Sequence, residues 1–483
     1  MKYSYAPSIG LVPTRVRIPI PSFSLYKDFY SIKFDLLTMI EITAVGGYNE
    51  VGKNCTAINI DGDVILCDLG LHLENYIKYT DSEEEDIRKI SGAALMKVKA
   101  VPDISAIEHI KKKVKAIVST HAHLDHIGAI PYLSNKFDCD IFGTPFTGAV
   151  LKTILKDEGI NLKNNIKILN VNSIYSLTKN IKIEFINMTH STPQTVMIAI
   201  HTKYGIIVYA NDFKLDSYPV LGKKANFERL REIGKKGVLA LICDSLYSRD
   251  SRKTPSESVA KEMLKDVLLG TDSKDKLIVV TTFASHLARL KSIVDIGLKL
   301  NRRIIFLGRS LAKYTQAGED IRIIKFSDKV ELIKYGKAVK KRLKLIKDNK
   351  RSKYMLVVTG HQGEPKAVLS KIANNEIEFK LKPEDHVIFS CKTIPTKTNI
   401  EQRAFLEKRL RKVGVRVFKD IHVSGHAGRE DLRDLLNILK PKHIFPAHGN
   451  MEMMRGMEDL ALEMKFNKNN IHLMKNGSKI KIT

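Results

Sequence analysis

The sequence predicts an α/β protein with a strand-rich first region and a middle region in which strands alternate with helices. Three observations lead there. Residues 39–217 hold a series of short, β-branched apolar runs broken by glycine and polar turns, which have the length and composition of strands. Between 218 and 389, apolar runs alternate with long amphipathic segments, the pattern of parallel βαβ units. Histidines and aspartates stand where several of the apolar runs end, the usual location of site residues in α/β folds.

Taken in order, residues 1–38 carry Pro7, Pro13, Pro19 and Pro21 without clear periodicity. They are expected to form a flexible extension, or to lie outside the native protein. A clean strand pattern starts at Met39 with IEITAVGG and continues through CTAINI, DVILCDLG, AIVST, CDIFGT, IKIEFINMT, TVMIAIHT and GIIVYAND. Helices are expected near Asp103–Lys113 and from Pro145 to Glu158, and DSEEED (81–86) reads as a solvated loop or helix start. In 218–389 the strands are LALICDS, LIVVTTF, RIIFLG, YMLVVTG and HVIFS, with helices at SESVAKEMLKDVLLG and HLARLKSIVDIGLKLN. After 390 come VRVFKDIHVSG, a helix at REDLRDLLNILK, a strand at HIFPAHGN and a final helix.

At 483 residues the chain is long enough for several domains and needs no disulfide or metal staple to fold. Lys plus Arg outnumber Asp plus Glu 80 to 53, a net charge of +27, which implies a polyanionic partner. No stretch has the length of a membrane span, so nucleic acid is preferred to a membrane. Lys111–Lys113 and the run from Lys337 to Lys353, including Arg342, Lys344 and Arg351, are candidate phosphate contacts. The five cysteines are dispersed without C-x-x-C, which argues against a disulfide framework or thiolate zinc site and for a reducing, cytoplasmic setting.

The strongest chemical signal is THAHLDHIGAIPYL. It puts His121, His123, Asp125 and His126 just beyond the apolar run VKAIVST. Three imidazoles and a carboxylate within six residues suit Zn²⁺ and neighbouring divalent ions. Asp68, His190, Asp212 and His448 each close a later or earlier strand-like run and can complete two metal sites.

These motifs resemble the metallo-β-lactamase superfamily. Asp244 in CDSLYS, His426 in HVSGHAG and His448 in PAHGN resemble, in order, the motifs of its β-CASP branch. FASHLARL, GRSL, TGHQGEP, KTIP and HVSGHAGREDL resemble the ribonuclease J family in its archaeal form, over about 39–483. His361 stands where a small hydroxyl residue is expected, and HGN replaces HGE. The resemblance implies an αββα sandwich formed by 39–217 and 390–483, interrupted by a β-CASP α/β domain at 218–389.

It also implies two Zn²⁺ per subunit, with Mn²⁺ as the alternative. One would be held by His121, His123, His190 and Asp212, the other by Asp125, His126, Asp212 and His448. Asp125, Asp68, His426 and Asp244 are the expected catalytic group, with Asp68 orienting a ligand histidine and Asp244 orienting His426. His422, Ser424, Gly425 and His426 are the expected pocket for a 5′-phosphate. The implied activity is processive 5′→3′ hydrolysis of 5′-monophosphorylated single-stranded RNA. An endoribonuclease acting in RNA 3′-end processing and a non-catalytic RNA-binding subunit are the alternatives. The chain ends soon after His448. The dimer or tetramer of bacterial forms is therefore not expected to carry over, while a homodimer stays open.

Overall fold

The computed structural model describes residues 40–82, 90–394 and 396–483. The expected extension at 1–38 and most of DSEEED fall outside these residues. Among the described residues the chain forms three sheets. The first runs, in spatial order, Lys479–Ile482, Ile40–Gly46, Cys55–Ile60, Asp63–Cys67, Val114–Val118, Asp140–Gly143 and Ile166–Ile168. The second runs His443–Ala447, Val238–Asp244, Gly205–Ala210, Val196–Thr202, Lys182–Asn187 and Ser173–Ser176.

These two sheets pack face to face. Alternate residues of the first sheet (Ile40, Ile42, Ile65, Cys67, Val118) meet Phe185, Ile198, Tyr209, Ile242 and Phe445 of the second in one buried cluster. The intervening residues point outward. Val64, Leu66 and Ile117 pack under Ile107, Phe146 and Leu151, while Val208, Leu241 and Ile444 pack under Leu230, Ile233, Leu435 and Leu460. Side chains alternate faces along a strand, so strands apolar on both faces need cover on both sides. The result is helix–sheet–sheet–helix.

The third sheet is entirely parallel, in the order Val330–Ile333, Arg303–Leu307, Tyr354–Val358, Ile278–Thr281, His386–Phe389 and Arg416–Phe418. Helices Leu287–Lys299 and Arg309–Asp320 cover the face turned to the sandwich. Leu287, Leu290 and Leu311 share a cluster with residues under the first sheet.

Several expectations are corrected. LALICDS, assigned to the middle domain, is the strand Val238–Asp244, which pairs in parallel with both Gly205–Ala210 and His443–Ala447 of the sandwich. Helix Phe227–Lys236 makes this crossover within one sheet, and a local apolar run carries no mark of which sheet it joins. At the other end, Arg416–Phe418 pairs with His386–Phe389 of the third sheet, so the return to the sandwich comes after 418 and not at 390. Residues 419–427 form a loop in which Asp420 has φ +60. Ile104–Lys113 is a 3₁₀ helix. Its buried Ile104, Ile107 and Ile110 are spaced by three, which matches three residues per turn.

Candidate metal centre

The sandwich brings a set of strand ends to one rim. His121 and His123 follow Val114–Val118, and His123 precedes the short helix Leu124–Ile127 that carries Asp125 and His126. Asp68, Asp212 and His448 each lie just past a strand with φ of +61, +53 and +51. Left-handed backbone is costly for residues with a Cβ and is concentrated at functional sites. Here it turns each side chain back toward the same point. His190 follows Lys182–Asn187.

All seven expected ligands converge. His121, His123, His190 and Asp212 form one group whose donor atoms lie within 4.8 Å of one another, and Asp125, His126, Asp212 and His448 form a second. Asp212 belongs to both. Its Oδ2 lies 3.2 Å from His126 Nε2 and 3.5 Å from both His121 Nε2 and His190 Nε2. Its Oδ1 faces His448 Nε2 at 3.6 Å and has no hydrogen-bond partner although buried.

The outward ring nitrogens are all engaged. His126 Nδ1 donates to Asp68 Oδ2 at 2.8 Å, His448 Nδ1 to Asn54 Oδ1 at 2.9 Å and His190 Nδ1 to the Gly425 carbonyl at 2.6 Å. His121 Nδ1 lies 3.0 Å from Thr120 Oγ1, and His123 Nε2 lies 3.1 Å from Ser285 Oγ. With outer nitrogens protonated, the inner ones point lone pairs at each other. His121 Nε2 and His190 Nε2 lie 3.0 and 3.1 Å from His123 Nδ1. Facing lone pairs and an orphaned buried carboxylate oxygen are the arrangement a divalent cation resolves. The residues present fit such ions.

The electrostatics agree for three of the imidazoles and for Asp212, whereas at His126 burial is outweighed by Asp212, Asp68 and Asp125, which hold it well above the usual histidine range. Burial, reinforced by neighbouring imidazoles, holds His121, His123 and His190 well below the usual histidine range, in the neutral form that ligates. Burial alone would raise Asp212, but His126, His448 and His426 keep it well below the carboxylate range. Burial likewise pushes His426 down, and Asp212 and Asp244 outweigh it, leaving the imidazole at about 9.

Of the other expected residues, Asp68 sits behind His126 and also accepts from the Thr120 backbone N–H at 2.8 Å. Asp244 accepts from His426 Nδ1 at 2.8 Å, and the His426 ring stacks on His448. His426 Nε2 lies 3.8 Å from Asp212. Asp125 and His426 keep 20% and 18% of their side chains exposed, so the centre opens on their side. Ser424 Oγ accepts from the His426 N–H at 3.0 Å, and Gly425 packs so closely on His190 that a Cβ would fall 2.9 Å from Nδ1. His422 Nδ1 lies 3.4 Å from Arg289. Burial and Arg289 push it down to about 2.

Sequence reasoning missed Asn54, Thr120 and Ser285. The only available signal was the polar pair Lys53–Asn54 interrupting an apolar strand boundary. It also overestimated the basic run. Arg351 is buried against Asp385, Arg342 pairs with Glu331 over the Tyr354 ring, and Lys344 pairs with Glu378. The acidic partners come from distant segments, and the run itself gives no sign of them.

Three family models match: the metallo-β-lactamase superfamily at 48–224, the ribonuclease J β-CASP domain at 275–404 and the Zn-dependent metallo-hydrolase RNA specificity domain at 412–474. Ribonuclease J of Methanocaldococcus jannaschii is 41% identical over 440 residues, covering 91% of this chain and 98% of that protein. Ribonuclease J of Pyrococcus abyssi is 42% identical over 88% of this chain and 93% of that one. Ribonuclease J of Helicobacter pylori is 30% identical over 94% of this chain and 62% of the longer relative. A crystal structure of a protein of unknown function from Enterococcus faecalis V583 shares the fold, with a TM-score of 0.61 and 17% identity over 92% of this chain and 100% of that one. With this identity across nearly its whole length, the chain belongs to the ribonuclease J family.

Proposed function

We propose that the chain is a metal-dependent ribonuclease that shortens single-stranded RNA from a 5′-monophosphate end, one nucleotide at a time, during RNA decay or maturation in the cytoplasm. The observation that carries this is the convergence of six ligand side chains on Asp212, whose Oδ1 is left unpaired. The RNA specificity domain and the net charge of +27 support RNA as the substrate. No helix among the described residues is long and apolar enough to cross a membrane, and the five cysteines are free thiols.

In this reading His121, His123, His190 and Asp212 hold one divalent ion, Zn²⁺ or Mn²⁺, and Asp125, His126, Asp212 and His448 hold the other. Two such ions supply Lewis acidity that activates an attacking water and offsets charge on the phosphate oxygens. The chain does the rest. Asp68 and Asn54 lock the tautomers of His126 and His448. Asp244 keeps Nδ1 of His426 protonated and orients the ring, so that Nε2 can give a proton to the leaving oxygen. Ser424 and Gly425 receive the 5′-phosphate beside the centre, and that fixed spacing selects the first phosphodiester bond.

The test uses end-labelled RNA bearing a 5′-monophosphate, a 5′-triphosphate or a 5′-hydroxyl, and a closed circle. Mononucleotides are expected from the monophosphate alone. Cutting of the circle would favour the endonuclease, and inert RNA with metal-loaded protein would remove the enzyme reading.

A further inference from the structure

Arg289 is the largest fully buried side chain among the described residues, at 0% exposure, yet it touches none of the metal ligands. It lies in helix Leu287–Lys299 beside the third sheet. Its Nε and one terminal nitrogen bond both carboxylate oxygens of Glu257, at 2.6 and 2.9 Å. Its other terminal nitrogen donates to the Ser390 carbonyl and hydroxyl, both at 2.9 Å, and to the Ile421 carbonyl at 3.2 Å. Ser390 Oγ donates to the same Ile421 carbonyl at 2.9 Å.

Glu257 extends the connection back to the sandwich. It opens helix Glu257–Gly270, and its backbone N–H donates at 2.8 Å to Asp216 Oδ2, four residues beyond Asp212. Asp216 in turn faces the buried Lys214 at 3.4 Å. One continuous buried path thus joins the Asp212 segment, the middle domain and the loop at Ile421.

That loop has no secondary structure of its own from 419 to 427. Its downstream half is tied to the sandwich, through His190 to Gly425 and Asp244 to His426. Its upstream half is tied through Arg289 and Ser390 to the middle domain. A planar guanidinium with both ends occupied fixes direction as well as distance, which a lysine cannot do. A buried ion pair adds little net stability over an apolar replacement, so fold stability is a weak reason for this one.

We propose that Glu257 and Arg289 are positioning residues: together they set where His422 and Ser424 stand relative to the metal centre, and so enforce selection of the 5′-phosphate. This deepens the proposed function and rests on it. The effect belongs to 5′-end recognition and not to the hydrolytic step.

The experiment compares full-length wild type, Arg289→Lys, and the charge-neutral double variant Glu257→Gln/Arg289→Gln. Two substrate sets are used: 5′-monophosphate against 5′-hydroxyl RNA, and the small diester bis(p-nitrophenyl) phosphate. A displaced loop is expected to lower the monophosphate preference, read as a ratio of kcat/KM, by about tenfold or more, with bound metal and small-diester turnover within about twofold of wild type. An unchanged preference in either folded variant overturns the proposal. So does parallel loss of both activities with melting temperature, or failure of both variants to fold, since each marks a purely structural pair. A wild type without monophosphate preference removes the proposed function itself, a result distinct from the variants behaving as wild type.

Discussion

Each imidazole of the centre uses one ring nitrogen inward and the other on a protein partner, so an outer partner controls an inner ligand. Asp68 is the clearest case, accepting from His126 Nδ1 and from both the backbone N–H and the hydroxyl of Thr120. Asp68→Asn is expected to weaken metal binding by about 10–100-fold, measured by metal titration; unchanged affinity would mean that Asp68 does not hold the ring. His426 differs, because it faces Asp212 only at 3.8 Å. His426→Ala should keep its bound metal while kcat falls by about 10²–10⁴, and loss of metal together with activity would reassign it as a ligand. The inward residues were legible in the sequence because four are clustered within six positions and the rest close apolar runs. Asn54 was not, since its partner His448 lies 394 positions away and only the folded chain joins them.

Elements hold these residues through close backbone approaches. A Cβ on Gly70 would lie 1.6 Å from the Asp125 carbonyl oxygen, because Leu69 and Leu71 donate to carbonyls of His126 and Leu124. Gly70→Ala should therefore push the 124–127 helix out of place, lowering both melting temperature and metal content; a variant with wild-type metal content would count against so tight a fit. On the second sheet, burial would raise Glu184, but His201 and Arg229 pull it from 4.5 to about 2. A carboxylate depressed on folding stabilises above its unfolded value and loses that effect as pH falls toward the folded one. Glu184→Gln should thus melt earlier than wild type at neutral pH, with the gap narrowing below about pH 4.5 and closing near pH 2. A gap independent of pH would rule out the ion pairs as its cause. Strand and helix identities were largely readable from apolar period and length. Sheet membership was not: Val238–Asp244 and Arg416–Phe418 each joined the sheet opposite to the one expected. Pairing depends on the crossover that precedes a strand, and no run of residues encodes it locally.

At the scale of the whole molecule, the third sheet and its helices wall one side of the centre. Ser285 reaches His123, and the Tyr314 hydroxyl donates to the Ala122 carbonyl at 3.4 Å. The two bodies therefore build the site jointly, and the centre is open where Asp125 and His426 are exposed. The excess of positive charge was evident from composition, but which lysines remain unpaired required the fold. The proposed function depends on a pair of divalent ions held around Asp212. The most direct measurement strips the protein with chelator, returns Zn²⁺ or Mn²⁺ stepwise, and follows bound metal and mononucleotide release together. The account predicts release that rises until two ions are bound per chain and is absent in Asp212→Ala. Full-rate release from stripped protein, or from Asp212→Ala, would contradict it.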